Sequence, residues 1–151
     1  MANENLIKAM QMIVDELSQQ ADGHMIQSKV FASEGFSKLA EKYAEHAEEE
    51  RGFVARFIER MLDLGAVPVN GDKKASQTIT DPVEWLEYDH KVSVYGLNSL
   101  KEIMKMAGDD ITSYELLKEY YMDEEEDMYW AEEQLDLIEM IGKQNWLVKQ
   151  M

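Results

Sequence analysis

The sequence predicts an all-α fold: a four-helix bundle with one long crossover and a short C-terminal helix. Three observations predict it. Apolar residues recur at alternating three- and four-residue steps through four long segments, the signature of helices with one buried face. Leu, Met, Glu, Lys, Gln and Ala dominate, and only two prolines and eight glycines interrupt 151 residues. A stretch of about 16 residues midway along the chain lacks any helical period, which is long for a bundle connection and suits a crossover between two hairpins.

The first helix is expected from about Asn5 to Ser33, with the stripe Ile7, Met10, Val14, Leu17, Ala21, His24, Ser28, Phe31. Glu34-Gly35 breaks it and makes the next helix an antiparallel neighbour. That second helix spans about Ser37 to Leu64, with Phe36, Ala40, Tyr43, Ala47, Glu50, Val54, Phe57, Met61 and Leu64 on one face. Gly65 caps it and Pro68 prevents continuation. The irregular stretch from Ala66 to Asp81 contains the turn Asn70-Gly71.

The third helix begins after Thr80 or Asp81 with Pro82 in its first position. Its stripe reads Leu86, His90, Ser93, Leu97, Leu100, Met104, Ala107. After Gly108-Asp109-Asp110 the fourth helix starts near Thr112 or Ser113, with Glu115 placed for a capping box. Its stripe is Leu117, Tyr121, Glu124, Met128, Ala131, Leu135, Ile138. Gly142 ends it, and Lys143 to Met151 forms the short last helix. No repeat or second domain is visible, so residues 1–151 read as one domain.

Composition narrows the chemistry. With no cysteine, disulfides and thiolate metal sites are excluded, and a metal must be held by oxygen and imidazole nitrogen. The N-terminus shows no targeting pattern and no apolar run reaches about 20 residues, so a cytoplasmic protein without membrane contact is expected. The net charge of −16 disfavours nucleic acid and favours cations.

The seams themselves carry the sharper signal. Glu50 and Glu124 occupy inward positions on the second and fourth helices, and Asp127 lies one turn from Glu124. A buried carboxylate must be protonated, paired or bound to a cation. Counting outward from the turn at Gly35, His24 and His46 are level, and Glu50 lies one turn, about 6 Å, beyond His46. Counting from Asp110, Ser93 and Asp127 are level. Gly23, Gly52 and Gly96 lie inside helices near these levels and suggest close backbone approach or a kink.

Two segments carry a family resemblance. One is Ile58-Glu59-Arg60-Met61-Leu62 through Pro68. The other runs from Asp123-Glu124-Glu125-Glu126 through Gln134-Leu135-Asp136-Leu137-Ile138 to Trp146-Leu147. The sequence resembles a bacterioferritin subunit over nearly the whole chain, which implies a ferritin-like bundle. The resemblance also implies a site for two irons built from four carboxylates and two histidines, with Glu-x-x-His pairs on two helices.

Carried over position by position, Glu50 and Glu124 match ligands. The two histidine positions fall on Phe53 and Asp127, and the remaining glutamate positions on Leu17 (beside Glu16) and Ser93. The family's haem-ligating methionine position is Arg51, which speaks against haem at the usual subunit interface. His24 falls where the family has a tyrosine near the metals.

The reading is therefore an altered metal site of His24, His46, Glu50, Glu124 and Asp127, with iron as the expected metal. His90 reads as a surface or packing histidine. The resemblance implies iron storage in a homo-oligomer, from a dimer building block to a 24-subunit shell. Glu45 and Glu49 match positions facing the shell cavity. The alternatives are a non-catalytic scaffold or co-assembling subunit with a degenerate site, and a ferroxidase or other di-metal oxidase.

Overall fold

A computed structural model describes residues 3–151. The helices are α1 (Glu4–Ser33), α2 (Ser37–Asp63), α3 (Pro82–Met106), α4 (Ile111–Ile141) and α5 (Lys143–Lys149). Packing is densest within two antiparallel hairpins, α1 with α2 and α3 with α4, and the hairpins meet through α1–α3 and α2–α4. This is the expected all-α, ferritin-like four-helix bundle with a short C-terminal helix.

The helix ends follow local chemistry. Asn3 caps α1 by accepting from the amides of Asn5 and Leu6, and Asp81 caps α3 by accepting from Val83 and Glu84. Both α1 and α2 end in Schellman motifs. Phe36 N–H bonds Phe31 C=O (2.9 Å) and Ala66 N–H bonds Met61 C=O (2.9 Å). Gly35 and Gly65 take the required left-handed conformation (φ +90° and +84°). The α4 start differs from the expected Thr112 or Ser113 cap. Asp110 takes that role by accepting from Ser113 N–H, and Arg60 holds the Asp110 carboxylate at 2.7 Å.

The crossover is pinned to α1 by three glutamines at eight-residue intervals. Gln11 both donates to and accepts from Val69, Gln27 does the same with Ile79, and Gln19 accepts from Lys74 N–H. The paired side-chain amides satisfy extended backbone that no strand accompanies. The crossover thus runs back along α1 and delivers α3 to the end where α1 finishes.

Two apolar cores result. One gathers Leu6, Met10, Val14, Leu17, Phe57, Met61, Leu100, Leu117 and Tyr120. The other gathers Phe31, Leu39, Tyr43, Trp85, Leu86 and Trp146. Trp146 of α5 is fully buried, with its indole N–H on Gln134 (3.0 Å). Buried polar groups, His24, His46, Glu50, Asp89 and Glu124, form a layer of their own on all four long helices.

The expectation that Gly23, Gly52 and Gly96 permit close approach is corrected: a Cβ at any of them meets nothing within 4 Å. The close approach is instead at Gly71, where a Cβ would lie 2.5 Å from the Asp15 carboxylate. Gly96→Ala is therefore expected to raise the unfolding free energy by about 1 kcal/mol, the ordinary helix-propensity difference, in urea denaturation. A loss of stability would reveal a contact at that position.

Candidate metal centre

The polar layer divides into two networks. The first is built on His24 of α1. Its Nδ1 lies 2.7 Å from Glu50 Oε1 and its Nε2 lies 3.2 Å from Asp89 Oδ1. The second oxygen of Glu50 accepts from the Gln20 side-chain amide, and the second oxygen of Asp89 accepts from the Tyr43 hydroxyl at 2.9 Å. All four carboxylate oxygens are thereby occupied. Burial alone would push the His24 pKa down. The charges of Glu50 and Asp89 and their hydrogen bonds outweigh it and hold the ring well above its ordinary value. Burial pushes the Tyr43 phenol well above its usual pKa, and Asp89 adds to this.

The second network faces α2 and α4. Oxygens of Glu49, Asp123 and Asp127, all half-buried, approach within 4.8 Å of one another, a span one cation can bridge. His46 Nε2 lies 3.3 Å from Asp127 Oδ1 but is not aligned for a hydrogen bond. It is buried without a partner, as are Asp123 Oδ2 and Glu124 Oε1. Such orphaned atoms are costly unless something completes them. The cluster opens into a groove of about 370 Å³ lined by Lys42, Glu45, Glu49, Glu126, Asp127 and Trp130, among others.

The electrostatics mark this second network as short of positive charge. Burial, then the charges of Asp123 and Glu49, pushes Asp127 up to about 8. Glu49 rises to about 7, through burial and then the neighbouring Asp123 and Glu45. Glu124 is driven well above the carboxylate range by burial and then by Glu50. His46, buried and beside the charged His24, falls to about 4, which leaves its ring neutral near pH 7.

All five residues singled out from the sequence lie in this layer, but they do not converge on one point. His24 and Glu50 belong to the first network, and His46 and Asp127 to the second. Glu124 lies against both, coupled to the charges of Glu50 and Asp127. The levels counted from Gly35 hold, since the His24 and His46 rings stand edge to face with centroids 5.9 Å apart. His90 is at the surface, paired with Glu132 at 2.8 Å.

Sequence reasoning did not place Tyr43, Glu49, Asp89 or Asp123 in these networks. Asp89 was within reach of it. The α3 face steps from Trp85 to Asp89, whereas the expected stripe stepped from Leu86 to His90.

The paired-iron arrangement does not fit these residues. Leu17 is in the apolar core, Glu16 beside it is exposed, and Phe53 and Ser93 offer no anionic ligand. Glu50, which matches a family ligand position, already has both oxygens engaged.

Comparison with known proteins agrees with the fold. The ferritin-like domain family matches residues 7–141. The bacterial ferritin of Neisseria meningitidis serogroup A is 34% identical over 134 residues, 86% of each chain. That of Synechocystis is 33% identical over 133 residues, 86% of this chain and 85% of the relative. That of Pseudomonas aeruginosa is 32% identical over 133 residues, 86% of each chain. No helix among the described residues is long and apolar enough to cross a membrane. With the match running from the first turn of α1 to the end of α4, the chain belongs to the ferritin-like domain family, for which iron storage is the family-level function.

Proposed function

We propose that this protein sequesters iron as cargo in a homo-oligomeric assembly. The cation binds at Glu49, Asp123 and Asp127 with His46, and no paired-metal oxidase centre forms. The observation that carries the reading is three carboxylate oxygens within 4.8 Å of one another beside a buried, unpartnered imidazole nitrogen. Carboxylate oxygen with one imidazole nitrogen suits Fe(II), Mn(II) and Zn(II). The protons held by Asp127 and Glu49 leave as the cation enters, so uptake strengthens with rising pH. The groove at Lys42, Glu45 and Glu126 is the approach to the cluster.

Calorimetric titration with Fe(II) under anaerobic conditions tests this. Glu49→Gln and Asp127→Asn should each weaken uptake at least tenfold. Unchanged uptake in both variants would sink the cluster as the site. Size-exclusion chromatography tests storage separately, because a species of dimer size has no cavity to fill.

The four substituted ligand positions, Leu17, Phe53, Ser93 and Asp127, favour one further reading. The chain is then a non-oxidising subunit that co-assembles with a relative whose site is intact. Recovery of homogeneous shells of this chain alone from its native source would count against it.

A further inference from the structure

The groove that leads to the carboxylate cluster carries a cation of its own. Lys42 lies in its wall with Glu45, Glu49, Glu126, Asp127 and Glu133, and is the one basic residue there among the described residues. Its spacing puts it on the cluster's side of α2. Lys42, His46 and Glu49 follow one another at steps of four and three and share one helix face. Yet the ammonium pairs with none of the carboxylates. Among the described residues Lys42 makes no ion pair, and its Nζ stands over the Trp130 ring, 5.2 Å from the centroid. The indole face attracts a cation and holds it there. Trp130 is in turn fixed by edge-to-face contacts with His46 and Tyr43, whose centroids lie 5.7 and 5.9 Å away.

We propose that Lys42, parked on Trp130, is a tethered counter-ion that limits how tightly the cluster holds its cation. Trp130 is the positioning residue. It keeps the ammonium off the carboxylates, so the slot stays open, and near enough to act on whatever fills it. The Lys42 charge reaches the whole site: it favours ionised Glu49, Asp123 and Asp127 and opposes a proton on His46. In the empty site that charge relieves repulsion between the carboxylates. Against a bound divalent cation the same charge is repulsive. The arrangement suits a cargo ion, which has to leave again. This inference rests on the cation site proposed above and adds a control on its affinity.

Anaerobic calorimetry with Fe(II) tests it, run beside Glu49→Gln and Asp127→Asn. Lys42→Met removes the charge and keeps an unbranched side chain. It should tighten binding about three- to tenfold at low ionic strength, and the gain should shrink as salt is raised. Trp130→Leu frees the ammonium to pair with the carboxylates and should weaken binding, a loss that should vanish when Lys42→Met is added. A merely structural role of Trp130 would give the same loss in both backgrounds, and that result overturns its positioning role. Unchanged or weaker binding in Lys42→Met, while Glu49→Gln and Asp127→Asn both weaken uptake, overturns the inference and leaves the site standing. Unchanged uptake in Glu49→Gln and Asp127→Asn removes the site and this inference with it. If Trp130→Leu does not fold, the salt series on Lys42→Met decides alone.

Discussion

Asp89→Ala is expected to lower the unfolding free energy by about 3–5 kcal/mol, the cost of removing one partner from a buried ion pair. Two groups lose their acceptor at once. His24 loses the carboxylate at Nε2, and Tyr43 loses the acceptor for a hydroxyl with no exposed surface. Neither finds water easily. Tyr43 is packed edge to face against His46, Trp85 and Trp130 and tilted against His24, with centroids 5.1–5.9 Å away. Asp89→Asn keeps one acceptor oxygen and should cost less than the alanine variant. Chemical denaturation of the three proteins checks the order. An alanine variant within about 1 kcal/mol of the unsubstituted protein would mean that His24 and Tyr43 do not depend on Asp89.

The second large effect is on pH. In chelator, stability is expected to fall as pH rises from about 6.5 to about 8. Asp127 moves from 3.8 to about 8 on folding, so between those values the folded state holds a proton that the unfolded chain has released. Its contribution is fully present below 3.8 and is lost as pH rises through about 8. Glu49, raised from 4.5 to about 7, acts in the same direction, as does Glu124. His24, held above 6.5, adds its loss from 6.5 upward.

His46 opposes them. Its pKa drops from 6.5 to about 4, so its contribution grows as pH rises through that window. Above 6.5 nothing in the layer offsets the loss, and each retained proton gives a slope of about 1.4 kcal/mol per pH unit. A bound cation replaces the protons of Asp127 and Glu49 and should flatten the curve. Melting temperatures at pH 6.5, 7.5 and 8.5, with chelator and with saturating Zn(II), test both parts. A flat or rising profile in chelator contradicts the charge arrangement.

The fold was legible in the sequence because its signals are local. Stripe spacing, the glycines at 35, 65, 108 and 142 with positive φ, and Pro82 after a capping Asp81 each need only a few neighbouring residues. The polar layer was half legible. Glu50, Glu124, His24 and His46 interrupt otherwise apolar stripes and so announce themselves. Asp89 does not, because on α3 the choice between steps of three and four decides whether Asp89 or His90 faces inward. Only packing of Trp85 against His24 and Tyr43 makes that choice. Glu49 and Asp123 each lie one residue from a buried carboxylate, off the expected inward stripes. Their proximity depends on how α2 meets α4 across the two hairpins, which the crossover hides from any count along the chain.

The glutamine ladder of α1 has a consequence for assembly order. Gln11, Gln19 and Gln27 are acceptors in the right place only once α1 is helical, so the crossover cannot take its path before α1 forms. The ladder then acts as a ruler. It measures out residues 69 to 79 along the chain's own first helix and fixes where α3 can begin. A chain whose second hairpin strayed into a neighbour's bundle would have to abandon all three rungs. The same amides that close the backbone's hydrogen bonds thus bias the molecule toward pairing its hairpins with each other rather than trading them between copies.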